Sequence, residues 1–129
     1  MKKLKWLAVL PLAFTISCAS QNYIVHPGAV NTFDSQTYDT LIVTHSVIES
    51  TKADLAAGKF PAGKVADGVK AALNALVLSY NVTDTAYLVY HTAAAAGTAT
   101  ATQQAAVTAG IQNINAQTTQ LTSAKVVTQ

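Results

Sequence analysis

Few side chains of this 129-residue sequence could do chemistry, and their spacing limits what that chemistry could be. The histidines are His26, His45 and His91. His45 and Glu49 stand at i and i+4, on one face of a helix, as half of a metal site requires. Three or four ligands must converge on a metal, and no second His/Glu pair completes the set, so no metal is expected. Asp84, Tyr87 and His91 share a face of a second helix, the residue types of general acid–base catalysis. Seven residues put Asp84 and His91 about 10 Å apart, beyond direct hydrogen bonding. Tyr80, Tyr87 and Tyr90 at that spacing read as core with hydroxyls at the rim. There is no G-x-S-x-G motif and no phosphate-binding loop. No catalytic residue and no cofactor is therefore expected. Lys52, Lys59, Lys64 and Lys70 gather near the first helical turn, but Asp54 and Asp67 dilute them into a solvated corner. The single cysteine, Cys18, excludes a disulfide framework and a thiolate metal cluster.

Charge excludes another class of partner. The formal net charge of +2 is carried by the leading residues: Lys2, Lys3 and Lys5 precede a remainder with five lysines and six acids. A nucleic-acid binder needs a concentrated basic face, so no nucleic acid is expected.

The same lysines open an address. After them, Trp6 to Ser17 form an uncharged, mostly apolar stretch interrupted by Pro11. It is too short for the roughly twenty residues of a membrane-spanning helix, but its length and flanks fit an export signal. It runs through Phe14-Thr15-Ile16-Ser17 into Cys18. Here the chain resembles bacterial lipoprotein precursors, whose lipobox places small or aliphatic residues ahead of an obligatory cysteine. The resemblance covers residues 1–18, with Thr15 where leucine is more usual. It implies cleavage after Ser17 and acylation of Cys18, with palmitate-type chains anchoring residues 18–129 to a membrane. Two or three acyl chains hold far more firmly than one. In that family, aspartate after the cysteine signals inner-membrane retention. Ala19 stands there, which points to the outer membrane, facing the periplasm or the surface. Ordinary cleavage after Ala19 is the competing reading, because Ser17-Cys18-Ala19 also has small residues at both recognition positions.

What remains must be built from helices. Residues 18–30 contain Pro27-Gly28 and no regular apolar period, and read as an extended tether ahead of a helical domain over 31–129. Asn31 offers an N-cap, with Asp34 complementing the helix dipole. A helix over about 33–57 follows, with Tyr38, Leu41, Ile42, Val47, Ile48, Leu55 and Ala56 at helical spacing. Gly58 and Pro61 stop it. The second helix, over about 63–96, carries Val65, Val69, Leu73, Leu76, Tyr80, Thr83, Tyr87 and Tyr90. Their three-and-four spacing is the seam of a left-handed bundle. The stretch Ser79 to Asp84 has weak helix propensity, so a break there stays open. Gly97 ends this helix. Thr100 and Gln103 then form a capping box for a third, over about 101–125, whose stripe is Val107, Ile111, Ile114, Thr118 and Leu121. Short links make the three helices an antiparallel, all-α bundle. Reflection about the loops sets Tyr38 near Thr83, His45 near Leu76, Val107 near Tyr90 and Ile111 near Ala86.

Together these features predict a lipid-anchored, non-enzymatic cell-envelope protein acting as a structural or protein-interaction module. The thin core and the nearly uncharged third helix suggest a covered surface, with a homo-oligomer or another envelope protein as the partner. The alternative is a small apolar ligand held in a slot between the helices among Tyr38, Leu76, Tyr80, Tyr87 and Val107.

Overall fold

The computed structural model describes residues 25–126. Three helices follow one another: α1 (Thr32–Ala56), α2 (Lys64–Ala95) and α3 (Ala101–Val126). They form an all-α, antiparallel three-helix bundle. Each boundary has a local cause. Asn31 has extended backbone, and its side chain accepts the Asp34 N–H at 2.9 Å. Gly58 and Gly97 follow α1 and α2 with φ of +67° and +71°, the left-handed conformation that a Cβ disfavours. Before α3, the Thr100 N–H donates to Gln103 Oε1 at 2.9 Å and the Gln103 N–H to Thr100 Oγ1 at 3.2 Å, closing the capping box from both sides.

Helix α2 is continuous through Ser79–Asp84 and runs for 32 residues, or about 48 Å. Packing against both neighbours outweighs the weak local propensity. Its buried side chains are Val69, Leu73, Leu76, Thr83, Tyr87 and Tyr90, and those of α3 include Val107, Ile111, Ile114 and Leu121. On α1 the apolar stripe differs from the sequence expectation. Leu41 and Ile48 are buried, but Tyr38 and Ile42 are exposed. The inner face is completed by Asp34, Thr37, Thr44 and Thr51, which alternate with Leu41 and Ile48 at spacings of three and four. A threonine can face a core because its hydroxyl bonds back along its own helix: Thr44 donates to Thr40 O at 2.7 Å and Thr51 to Val47 O at 2.8 Å.

The α1–α2 contacts straddle the reflection about the loop, with Asn31 against Tyr90 on it, while the α2–α3 approach lies about one turn away. His45 meets Tyr80 rather than Leu76, with ring centroids 5.9 Å apart. Gly110 lies on Thr83, where reflection would have set it against position 87. Loop lengths set the neighbour; the close contacts set the register. At Gly110 the absence of a side chain lets α3 come down onto Thr83: a Cβ there would lie 2.8 Å from Thr83 Cγ2. At the far end, Lys125 of α3 donates to Thr51 Oγ1 of α1 at 2.6 Å.

Candidate functional site

The richest polar constellation joins the N-terminus of α1 to the C-terminus of α2. Asp34, in the first turn of α1, has no exposed surface. A carboxylate is removed from water at a large cost unless donors surround it. Asp34 has them. Val30 N–H donates to Oδ2 at 2.9 Å, and His91 Nδ1 lies 2.9 Å and 2.8 Å from the two oxygens. The Tyr87 hydroxyl is bonded to it as well. Nδ1 of His91 must carry the proton to donate, which fixes the tautomer.

Burial pushes the Tyr87 hydroxyl up to about 12, with the Asp34 charge adding to the effect. The neutral phenol is held as a donor. One helical turn away, Asn31 Nδ2 donates to the Tyr90 hydroxyl at 3.1 Å, and Phe33 packs edge-on against the Tyr90 ring with centroids 5.1 Å apart.

A further layer fixes the segment before α1. The His26 backbone N–H donates to the buried Ser35 Oγ at 2.8 Å. Its Nε2 lies 2.7 Å from Asp39 Oδ1, and its ring meets Tyr38 edge-on at 5.2 Å. Pro27-Gly28 turns the chain between these contacts, with Ala29 N–H returning to His26 O at 3.0 Å. The end of the expected tether, from His26 to Val30, is thus docked on the bundle. Residues 18–24, including Cys18, lie outside the described residues.

The carboxylate facing His91 is therefore Asp34, 57 residues away in the chain, and Asp84 does not pair with it. An Asp–His pair is the orienting half of a hydrolytic relay. Here the nearby hydroxyl, that of Tyr87, is bonded to Asp34 itself. What the arrangement does is clamp two helix ends and the incoming chain together. His45 and Glu49 do not converge on a metal: His45 lies against Tyr80, and Glu49 accepts from Lys52 at 2.8 Å. Among the described residues, no three His, Cys, Asp or Glu side chains could share a metal ion. In the lysine corner, Lys59 pairs with Asp54 at 2.7 Å and Lys70 approaches Asp67 at 4.0 Å.

The residues of the expected slot are spread through the bundle. Leu76 and Val107 are wholly buried, Tyr87 faces Asp34, Tyr80 is half-buried beside His45, and Tyr38 is exposed against His26. A shallow surface depression lies elsewhere, on the outer side of α2, lined by Leu88, Val89, Thr92, Ala93, Ala96 and Thr98. None of the five residues lines it. Among the described residues, no helix is long and apolar enough to cross a membrane. No protein-family model, curated protein or solved structure matches the chain.

Proposed function

We propose that the chain is a lipid-anchored protein of a bacterial cell envelope, held through Cys18 and acting as a non-catalytic structural or interaction module. The observation that carries the reading is the basic, apolar leader that ends on the only cysteine of the sequence. The clamp is consistent with it. If Cys18 bears the lipid, any load on the anchor reaches the bundle at His26–Asn31. There four contacts to Ser35, Asp39, Asp34 and Tyr90 transfer it to α1 and α2. An anchored domain needs that junction to hold while its faces remain free for partners. By the family pattern, Ala19 after the cysteine assigns the outer membrane.

Membrane fractionation of the wild-type chain beside Cys18→Ser, with the size of the precursor followed on a gel, tests this. The wild type should be processed and membrane-bound, and the serine variant unprocessed or released. Two soluble forms, cut alike, would remove the anchor and leave a secreted helical module.

A further inference from the structure

The large apolar side chains that remain exposed on α2 are not scattered. They are Leu78, Val82, Leu88 and Val89, each more than half exposed. On the side of α2 opposite the core, Ala71, Ala75, Leu78, Val82, Thr85, Val89, Thr92 and the C-cap Ala96 recur at spacings of four and three over the last three-quarters of the helix. This is a second seven-residue seam, outside the bundle and without a partner. In heptad terms, Ala75, Val82, Val89 and Ala96 occupy a, while Ala71, Leu78, Thr85 and Thr92 occupy d. Leu88 falls at a flanking g position.

We infer that this outer seam of α2 pairs in parallel with the same seam of a second copy of the chain. The inference deepens the proposed interaction module and rests on its lipid tether for occupancy. Four observations select this occupant. First, a strict heptad period matches a helix rather than a flat surface, and valine at two of the a positions with leucine at one d position suits a two-stranded pairing. Second, the flanking positions are Ala72, Asn74, Ser79, Asn81, Ala86, Leu88, Ala93 and Ala95, none charged, so like faces approach without repulsion. A helix lying on lipid would carry lysine or arginine along its flanks, and none occurs between Ala71 and Ala96. Third, the depression among Leu88, Val89, Thr92, Ala93 and Ala96 takes in g, a, d, e and a positions, with Thr98 of the following loop closing its end. A facing helix fills such a hole with a knob, and Leu88 of one copy would meet Ala93 of the other. Fourth, parallel pairing brings the His26–Asn31 clamps of both copies to one end, with Cys18 seven residues upstream of Val25. Both anchors can then enter one membrane.

Area sets the strength. The seam is about 40 Å long and about 10 Å wide, so two copies bury about 800 Å². Stable free complexes bury about 1,200–2,000 Å². Pairing is therefore marginal in free solution and is populated where a shared membrane raises the local concentration. The surface that seeks a partner is thus the outer face of α2 rather than the Ala/Thr/Gln face of α3.

Cross-linking with a short bis-maleimide tests it, in full chains carrying one added cysteine. Val82→Cys and Val89→Cys should each give like-position dimers in membranes, while Ala109→Cys, on the outer face of α3, should not. Adding Val82→Glu to Leu78→Cys should reduce the Leu78→Cys product to the level of the α3 control, with an unchanged helical circular dichroism spectrum. A product requiring one Val82→Cys chain and one Val89→Cys chain, an adduct of another mass, or no product would overturn the pairing. Fractionation of the same samples reports the anchor separately, and the chain without an added cysteine reports any free Cys18 thiol. A like-position dimer in a soluble chain keeps the pairing and removes the tether. A membrane-bound chain without it keeps the tether and removes the pairing.

Discussion

Replacing Gly110 by alanine sets two known effects against each other. In the middle of an exposed helix the change stabilises by about 0.5–1 kcal/mol, because glycine loses more backbone freedom on folding. At position 110 the new methyl would lie 2.8 Å from Thr83 Cγ2 and 2.9 Å from Thr83 Cβ, and in contact with its Oγ1. Carbon atoms settle at about 3.5–4 Å, so α2 and α3 must part by most of an ångström. Thr83 cannot swing aside. It is wholly buried, its hydroxyl donates to Ser79 O at 2.7 Å, and its Cβ, 2.9 Å from the new methyl, stays in place in any rotamer. Overpacking of this size costs about 1–3 kcal/mol, so Gly110→Ala should lose about 1–2 kcal/mol net. For a domain of this size that is a fall in Tm of about 5–10 °C.

Urea unfolding of the wild type, Gly110→Ala, Thr83→Ala and the double variant forms the cycle. The double variant places the new methyl in the space that Thr83 vacates. It should be no less stable than Thr83→Ala alone, with a favourable coupling of about 1–2 kcal/mol. A Gly110→Ala protein as stable as wild type, or an additive cycle, would refute the close-approach argument.

The clamp gives three more expectations. Asp34→Ala strips the acceptor from Val30 N–H, His91 and Tyr87, and should cost about 2–4 kcal/mol in urea unfolding, with loss of hydrogen-exchange protection at Val30; a cost below about 0.5 kcal/mol would show that the buried carboxylate is not part of the stability. The Tyr87 hydroxyl is raised to about 12 in the folded protein against about 10 unfolded, so its stabilisation is complete below pH 10 and is lost as pH rises from 10 to 12. Melts over that range should show up to about 2–3 kcal/mol of extra loss in the wild type relative to Tyr87→Phe, and parallel curves would count against it. Thr51→Val removes the buried acceptor of Lys125 and should cost about 1 kcal/mol, whereas Lys59→Met, which breaks a mostly exposed pair, should change stability by less than about 0.5 kcal/mol in the same assay.

Helix boundaries were legible because their causes are local. Asn31, Gly58, Gly97 and the Thr100/Gln103 box each act within four residues, and the structure uses each as the spacing predicts. The inner seam of α2 was legible because aliphatic and tyrosine side chains mark it directly. The inner face of α1 was not, because threonines hold half of it. A threonine reads as polar until its hydroxyl is seen bonded to the carbonyl one turn back. By its position alone Asp34 is a dipole partner at a helix start, which it also is in the structure. Its burial depends on His91 and Tyr87, more than fifty residues along the chain, and no local pattern reports such a partner.

Three helices, their boundaries, their antiparallel order and the inner seam of α2 are legible along the chain. These follow from capping chemistry, glycine conformations and a hydrophobic period, all of which act over one or two turns. The close approach of α3 to Thr83 and the Asp34–His91–Tyr87 clamp arise from contacts that no local pattern reports. Helix α2 carries two heptad seams. The larger aliphatic and tyrosine side chains select the inner one, whereas the Gly110–Thr83 and His91–Asp34 contacts join residues far apart in the chain.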